Sequence, residues 1–180
     1  MKKAEIASPK ETLARREAFY ADMRKEHAKR LKDLDLLAAE TCFNLVQTYN
    51  LGEDLMAGRV KKTGLALSGI NVLIILYHHK EAGYALNALS DLLLVTRANI
   101  TGLIDSLSRK GLVTREEHPK DRRVVLARIT PKGEALLVGY MPAHFGTMRE
   151  MTAALEKVEK ETLIRILTKM RHSLLTLKKQ

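Results

Sequence analysis

The stretch from Thr96 to Arg109 combines apolar side chains with small and polar ones at helical spacing. Its apolar positions follow the i, i+3, i+4, i+7 pattern of a helix face that packs on a core: Ile100, Leu103, Ile104 and Leu107. The opposite face carries Ala98, Thr101, Gly102, Asp105 and Arg109. A helix that enters the DNA major groove needs this division, because the protein holds one face while the other approaches the base pairs. The pattern therefore predicts a DNA-recognition helix.

Base contacts are expected at the N-terminal end of such a helix. Arg97 can bind guanine edges or phosphates, Asn99 can pair with adenine, and Ala98 can touch a thymine methyl group. Gly102 costs about 1 kcal/mol relative to alanine in a helix interior, so it must make room for a neighbouring helix or for DNA. Its outward phase favours DNA. The predicted contacts of this helix are Thr96, Arg97, Ala98, Asn99, Thr101 and Gly102.

A basic segment follows the predicted helix. Residues 109–132 hold eight Lys and Arg residues against three acidic residues. Two β-like runs, at 112–115 and 124–129, flank a polar stretch at 116–123. This pattern predicts a β-hairpin whose tip is the polar stretch.

The predicted tip contains the sequence Lys120-Asp121-Arg122-Arg123. Lys120, Arg122 and Arg123 suit the negative potential of a DNA minor groove, and Asp121 would hold one of the arginines in place. Charged hairpin tips are also common on surfaces that bind nothing. The position of this tip, directly after a predicted recognition helix, favours DNA contact.

The remaining sequence predicts the helices that position these residues. Apolar spacing and helix-end signals predict one helix that begins at Ser8 and Pro9 and another that follows a Ser68 cap. Further helices are predicted at about 35–57, 86–93, 97–109, 131–150 and 156–177. Gly111 ends the predicted recognition helix, and Thr130 and Pro131 begin the helix after the hairpin. The order helix, short helix, helix and basic hairpin is that of a winged helix-turn-helix.

Charge and composition limit the classes of function. The 180 residues carry a net charge of +10, which favours a polyanionic partner. A single cysteine, no signal peptide and no apolar run long enough for a bilayer predict a cytoplasmic protein with no membrane partner. No phosphate-binding loop, nucleophile elbow or paired carboxylates occur, so we expect neither an enzyme nor a cofactor. The six histidines lack metal-ligand spacing, so no metal site is predicted.

Four segments match the pattern of a known family. The first two are 95–107, which contains Thr-Arg-Ala-Asn-Ile-Thr-Gly-Leu-Ile-Asp, and 109–113, which contains Lys-Gly-Leu-Val. The other two are 121–123, which is Asp-Arg-Arg, and 129–133, which contains Thr-Pro-Lys-Gly. With these segments, residues 65–139 resemble the MarR family (multiple antibiotic resistance regulators). The resemblance implies a mostly α-helical fold with a small β-hairpin, in which N- and C-terminal dimerisation helices flank a winged helix-turn-helix core. It divides the chain into an N-terminal helical extension (1–34), a dimerisation helix and connection (35–64), a DNA-binding domain (65–130) and C-terminal dimerisation helices (131–180).

The resemblance also implies a function. Members bind a pseudo-palindromic site on double-stranded DNA as homodimers, commonly repress transcription, and are released by a small, often aromatic or acidic effector. Three features depart from the family pattern. Gly102 stands where arginine is frequent, Leu94 stands where glycine is common, and about thirty N-terminal residues precede the usual start.

Cys42 raises an alternative, because it lies where the peroxide-sensing branch of the family has its reactive cysteine. A redox-responsive repressor is therefore one possibility. Val46 stands where that branch has tyrosine, and no activating partner is visible, so a small buried hydrophobe is the favoured interpretation of Cys42. A winged helix that contacts proteins and a basic protein at a membrane surface are further alternatives, and the basic hairpin favours DNA over both.

Overall fold

Helices make up most of the chain. The computed structural model describes residues 9–30 and 35–177, and the chain divides into two compact units, Met1–Leu51 and Gly52–Gln180. The helices are α1 (Pro9–Arg30), α2 (Leu36–Val60), α3 (Leu67–His78), α4 (Leu86–Leu93), α5 (Arg97–Arg109), α6 (Pro131–Met151) and α7 (Lys157–Leu177). The described strands, β1 (Tyr84–Ala85), β2 (Val113–His118) and β3 (Asp121–Ile129), form an antiparallel sheet in the order β1-β3-β2. The predicted fold class is confirmed.

The first unit contains α1 and the beginning of α2. Tyr20 of α1 stacks on Phe43 of α2, with ring centroids 5.2 Å apart. Arg24 pairs with Glu40 across the same two helices at 2.9 Å. The N-terminal extension is therefore a helix with its own contacts to α2. Its predicted cap, Ser8, lies outside the described residues.

Two helix ends differ from the sequence prediction. α3 begins at Leu67 after Ala66, which makes no side-chain cap, so the predicted capping role of Ser68 is wrong. Gly64, at φ +71°, ends the single 3-10 turn before α3, and Ala66 follows in an extended conformation that leads directly into the helix. α2 continues to Val60, so Gly58 lies inside the helix rather than after it.

The core of the second unit lies between α3, α5 and the base of the sheet. The fully buried residues of α3 are Ile70, Val72, Leu73 and Leu76. α5 contributes Ile100, Ile104 and Leu107, and the strands contribute Val113 and Ala127. Burying one such aliphatic side chain contributes about 1.5–3 kcal/mol. α5 is thus anchored by the same apolar core that holds the sheet.

The sheet is larger than the sequence predicts. β1 has only two residues, too few to show a two-residue period, and pairs Tyr84 with Ala127. β2 and β3 pair from Val113 opposite Ile129 as far as His118 opposite Asp121. The predicted tip at 116–123 is therefore wrong, because only residues 119 and 120 form the turn. Main-chain hydrogen bonds carry strand pairing into a polar segment that has no buried face.

Candidate nucleic-acid interface

α5 is held by its apolar face, as the spacing predicts. Its buried residues are Ile100, Ile104 and Leu107, and Leu103 is half-buried. The helix begins after Thr96, whose hydroxyl oxygen accepts a hydrogen bond from the Asn99 N–H at 3.2 Å. Such a cap contributes about 1 kcal/mol to helix stability. Thr96 therefore fixes the start of the helix, in addition to its predicted contact with DNA.

The outward face of α5 is uncovered. Arg97, Ala98, Asn99, Thr101 and Gly102 are all exposed. The Thr101 hydroxyl donates a hydrogen bond to the Arg97 carbonyl at 2.9 Å. A Cβ atom placed on Gly102 would have no neighbour within 4 Å in the described part of the chain. The alternative in which Gly102 makes room for a neighbouring helix of the chain is therefore wrong.

The turn before α5 uses leucine in a conformation that favours glycine. Leu94 has φ +55° and is the one non-glycine residue with positive φ in the described ranges. The Leu94 N–H donates to the Asp91 carbonyl, and the Val95 N–H donates to the Ser90 carbonyl. These two hydrogen bonds form the Schellman ending of a helix, in which glycine is usual. Gly111, at φ +70°, ends α5 with the same two hydrogen bonds.

The hairpin of β2 and β3 is the wing, and local hydrogen bonds shape its tip. The Lys120 N–H donates to Nδ1 of His118 at 3.2 Å. Oδ1 of Asp121 accepts from the backbone N–H of Arg123 at 3.0 Å. Asp121 thus orients the main chain of the wing. The expectation that it holds an arginine side chain is not met among the described residues, which give it no ion pair.

Four of the eight basic side chains in residues 109–132 bind other groups of the protein. Arg115 pairs with Asp105 at 2.7 Å, and Arg128 pairs with Glu116 at 2.7 Å. Arg128 also donates to the carbonyls of Lys80 and Glu81. The remaining two are Lys110, which donates to the Gly64 carbonyl, and Lys132, which donates to the Lys110 carbonyl. No local sequence pattern indicates these roles, because each partner is brought close only by the tertiary fold.

The other four cations of this segment are available for an external partner. They are Arg109, Lys120, Arg122 and Arg123, and all four residues are exposed. None of their side chains has a polar partner within residues 9–30 and 35–177. The structure therefore brings the three predicted wing contacts together on one hairpin and leaves their charges unneutralised.

The Thr-Pro-Lys-Gly segment ties the base of the wing to α6. The Thr130 hydroxyl accepts a hydrogen bond from the Gly133 N–H at 3.0 Å and donates one to the Gly111 carbonyl at 2.8 Å. A Cβ atom on Gly133 would collide with the carbonyl oxygen of Leu112. The glycine is needed because two backbones approach closely here. This explains in physical terms why the segment has threonine first and glycine fourth.

A buried polar pair lies on α6. Tyr140 and His144 are buried, and their ring centroids are 5.6 Å apart. Tyr140 Oη and His144 Nδ1 lack hydrogen-bond partners among the described residues. Burial raises the pKa of the Tyr140 phenol, although the charge of Arg59 lowers it. Burial lowers the pKa of the His144 imidazole. The pair cannot be predicted from the sequence, since a tyrosine and a histidine four residues apart carry no distinctive pattern.

Arg59 connects α2 to the same helix. Its Nη1 donates to the Thr147 hydroxyl at 2.9 Å, and its Nη2 binds the Glu150 carboxylate at 2.6 Å. The hydrogen bond from Arg59 lowers the pKa of the Glu150 carboxyl. The group thus combines two buried aromatic rings and two polar atoms without partners among the described residues with a guanidinium that Thr147 and Glu150 already bind.

Cys42 and other candidate sites add little chemistry. Cys42 is exposed, so its interpretation as a buried hydrophobe is wrong for this chain. In the described part of the chain, no three His, Cys, Asp or Glu side chains could hold one metal ion. No single described helix is long and apolar enough to span a membrane, and α2 with α3 passes that test only as a pair bent by 75°.

Comparisons with known proteins agree with this arrangement. A model of the MarR family matches residues 65–125. The chain is 33% identical over 126 residues to the HTH-type transcriptional regulator MhqR of Bacillus subtilis, a match that covers 70% of this chain and 86% of MhqR. It is 28% identical over 142 residues to the HTH-type transcriptional repressor YetL of the same species, covering 79% of this chain and 85% of YetL.

A solved structure supports the fold. BpsR of Bordetella bronchiseptica, whose DNA binding is regulated by 6-hydroxynicotinic acid, superposes with a TM-score of 0.66 at 22% identity. The match covers 72% of this chain and 91% of BpsR. At this identity the likeness concerns the arrangement of helices and strands.

Proposed function

Because the chain belongs to the MarR family of transcriptional regulators, we propose that it binds a pseudo-palindromic DNA site as a homodimer and represses transcription until a small ligand releases it. The observation that carries the DNA-binding part is the set of exposed, unpartnered wing cations Lys120, Arg122 and Arg123. They lie on a hairpin that Arg115 ties to the uncovered helix α5. The names of MhqR and YetL support transcriptional regulation and repression.

In the proposed complex, α5 enters the major groove and the wing follows the minor groove. Arg97 and Asn99 face base edges, and Gly102 lets the helix backbone approach the DNA closely. The wing cations displace counterions from the phosphates, so affinity falls steeply as salt increases. Twofold symmetry places the two recognition helices about one turn of DNA apart, roughly 34–36 Å.

The homodimer is supported by the apolar surface of α7. No residue of α7 is buried in the described chain. Its apolar residues include a series spaced alternately four and three apart: Leu163, Leu167, Met170, Leu174 and Leu177. This spacing is typical of helices that pack along one another. A second copy of the chain would supply an equivalent stripe.

Release by a small ligand is supported by the buried polar pair on α6. Tyr140 and His144 present polar atoms without partners, and unsatisfied buried groups destabilise a protein unless something binds them. The nearby positive charge of Arg59 lowers the pKa of the Tyr140 phenol, although its Nη atoms already bind Thr147 and Glu150. BpsR, which shares the fold, is regulated by a small aromatic acid.

The experiment is capture of fragments of the protein's own genome by the purified chain, followed by sequencing and footprinting. We expect a few fragments to be enriched, each with one symmetric protected site, and candidate aromatic acids to weaken the protection. Uniform recovery of all fragments would contradict sequence-specific regulation.

A further inference from the structure

Asp105 places a carboxylate on the face of α5 that we assign to DNA. It lies one helical turn beyond Thr101 and is half-buried. A free carboxylate at this position would repel the phosphates of a bound duplex. Its partner therefore decides whether α5 can approach DNA closely.

That partner is Arg115 on β2. Nη1 of Arg115 lies 2.7 Å from Oδ1 of Asp105, and Nη2 donates to the Thr101 carbonyl at 3.4 Å. The two side chains are 34% and 45% exposed, so the pair lies at the surface and is only partly solvated. Among the described residues, the polar side-chain links between α5 and β2 both come from Arg115.

We propose that Arg115 and Asp105 are positioning residues that fix the wing relative to the recognition helix, and that Arg115 does not bind phosphate. The inference rests on the proposed DNA-binding function. Its reason is geometric: α5 and the wing serve different grooves of one duplex, so their relative placement sets which sequences both can contact. Phosphate contacts fix the register of a protein on DNA, and base contacts then select sequence.

The test compares two 30-base-pair duplexes, one carrying a genomic site captured by the wild-type protein and one of mixed sequence. Affinity is measured by fluorescence anisotropy over a range of salt concentrations. The main variant combines Asp105→Asn with Arg115→Gln, which removes the pair without changing net charge. Arg122→Gln serves as the matched control for a true phosphate contact. Thermal melting establishes that each variant is folded.

We expect the double variant to keep the wild-type salt slope and to lose discrimination between the duplexes by about threefold, the size typical of a partly exposed ion pair. Arg122→Gln should reduce the salt slope by about one. A charge-swapped variant, Asp105→Arg with Arg115→Asp, should recover part of the discrimination.

Two results would overturn the inference. A salt slope reduced by about one in the double variant would make Arg115 a phosphate contact. Unchanged discrimination in a folded double variant would remove its positioning role. Failure of the proposed function itself would be visible separately, because the wild-type protein would then not discriminate between the duplexes.

Discussion

At the scale of single residues, the cations of the wing divide by what they bind. Arg115 and Arg128 form ion pairs with Asp105 and Glu116, whereas Arg122 and Arg123 point to no group in the described chain. A sum of charges over the segment would overestimate its attraction for DNA. The DNA-facing charge is better represented by the unpartnered side chains alone.

Leu94 allows a test of backbone strain in the turn before α5. A left-handed conformation costs a non-glycine residue about 1–2 kcal/mol, and Leu94 is 68% exposed, so little burial would be lost. Leu94→Gly should therefore stabilise the protein by about 0.5–1 kcal/mol after the entropy of glycine is subtracted. Leu92→Gly, in the last turn of α4, should destabilise it by about 1 kcal/mol. Urea unfolding measures the stability of both variants. Equal losses of stability in the two variants would exclude strain at Leu94.

His144 predicts a pH dependence of stability. Burial lowers its pKa in the folded state below the ordinary value of 6.5, so the unfolded chain binds the proton more readily. The stability that depends on neutral His144 is complete above pH 6.5 and is lost as the pH falls toward the folded pKa. When urea unfolding is measured between pH 7 and 5, the free energy of unfolding of His144→Leu should change less with pH than that of the wild type. Parallel curves would mean that His144 does not contribute.

At this scale, prediction from the sequence succeeded where the position of a residue on its helix was enough to tell whether the residue is covered. The outward phase of Gly102 identified an uncovered position, because helix periodicity fixes direction without tertiary information. It failed for Arg115, Arg128 and Gly133. Their roles depend on a carboxylate or a carbonyl elsewhere in the chain, which no local pattern locates.

At the scale of elements, the helix-turn-helix and the wing differ in how well local sequence determines them. α4 and α5 begin and end where predicted, because a threonine cap, a Schellman ending and an apolar stripe agree. The hairpin tip was misplaced, because polar residues at 116–118 and 121–123 continue the strands without an apolar face. β1 was missed because two residues pair only once β3 is in place.

Arg123→Ala tests the wing as an element that binds DNA. Loss of an unpartnered cation at the wing should weaken binding to a captured genomic site by roughly 1–3 kcal/mol and reduce the salt slope by about one. Arg128→Ala, on the same strand, is the matched control: it should lower the melting temperature and leave the slope nearly unchanged, since Glu116 already neutralises this cation. Equal effects of the two variants on the salt slope would contradict the distinction between unpartnered cations and those paired within the protein.

At the scale of the whole molecule, association is the main feature that one chain leaves incomplete. α7 exposes Leu174 and Leu177 at 52% and 61%, and α6 exposes Phe145 and Met148. Apolar side chains at such spacing on a helix without buried residues favour pairing with a second copy. The domain limits proposed from the sequence remain predictions.

Leu174→Glu tests the dimer. A carboxylate in each copy would be desolvated at the interface, so dimer affinity should fall at least about a hundredfold. Light scattering after size exclusion should then give 20.3 kDa, the mass of one chain, where the wild type gives twice that value. Thr176→Glu, two residues further and off the apolar stripe, should leave the dimer intact. A wild-type protein that is already monomeric would contradict the proposal.

We propose that two copies of α5 and the wing contact one DNA site together. Selection of duplexes from a random-sequence library by the wild-type chain, followed by sequencing, measures this most directly. We expect an inverted repeat whose half-sites are centred about 10 base pairs apart, or a multiple of that spacing. Enrichment of no motif, or of a single unrepeated motif, would contradict it.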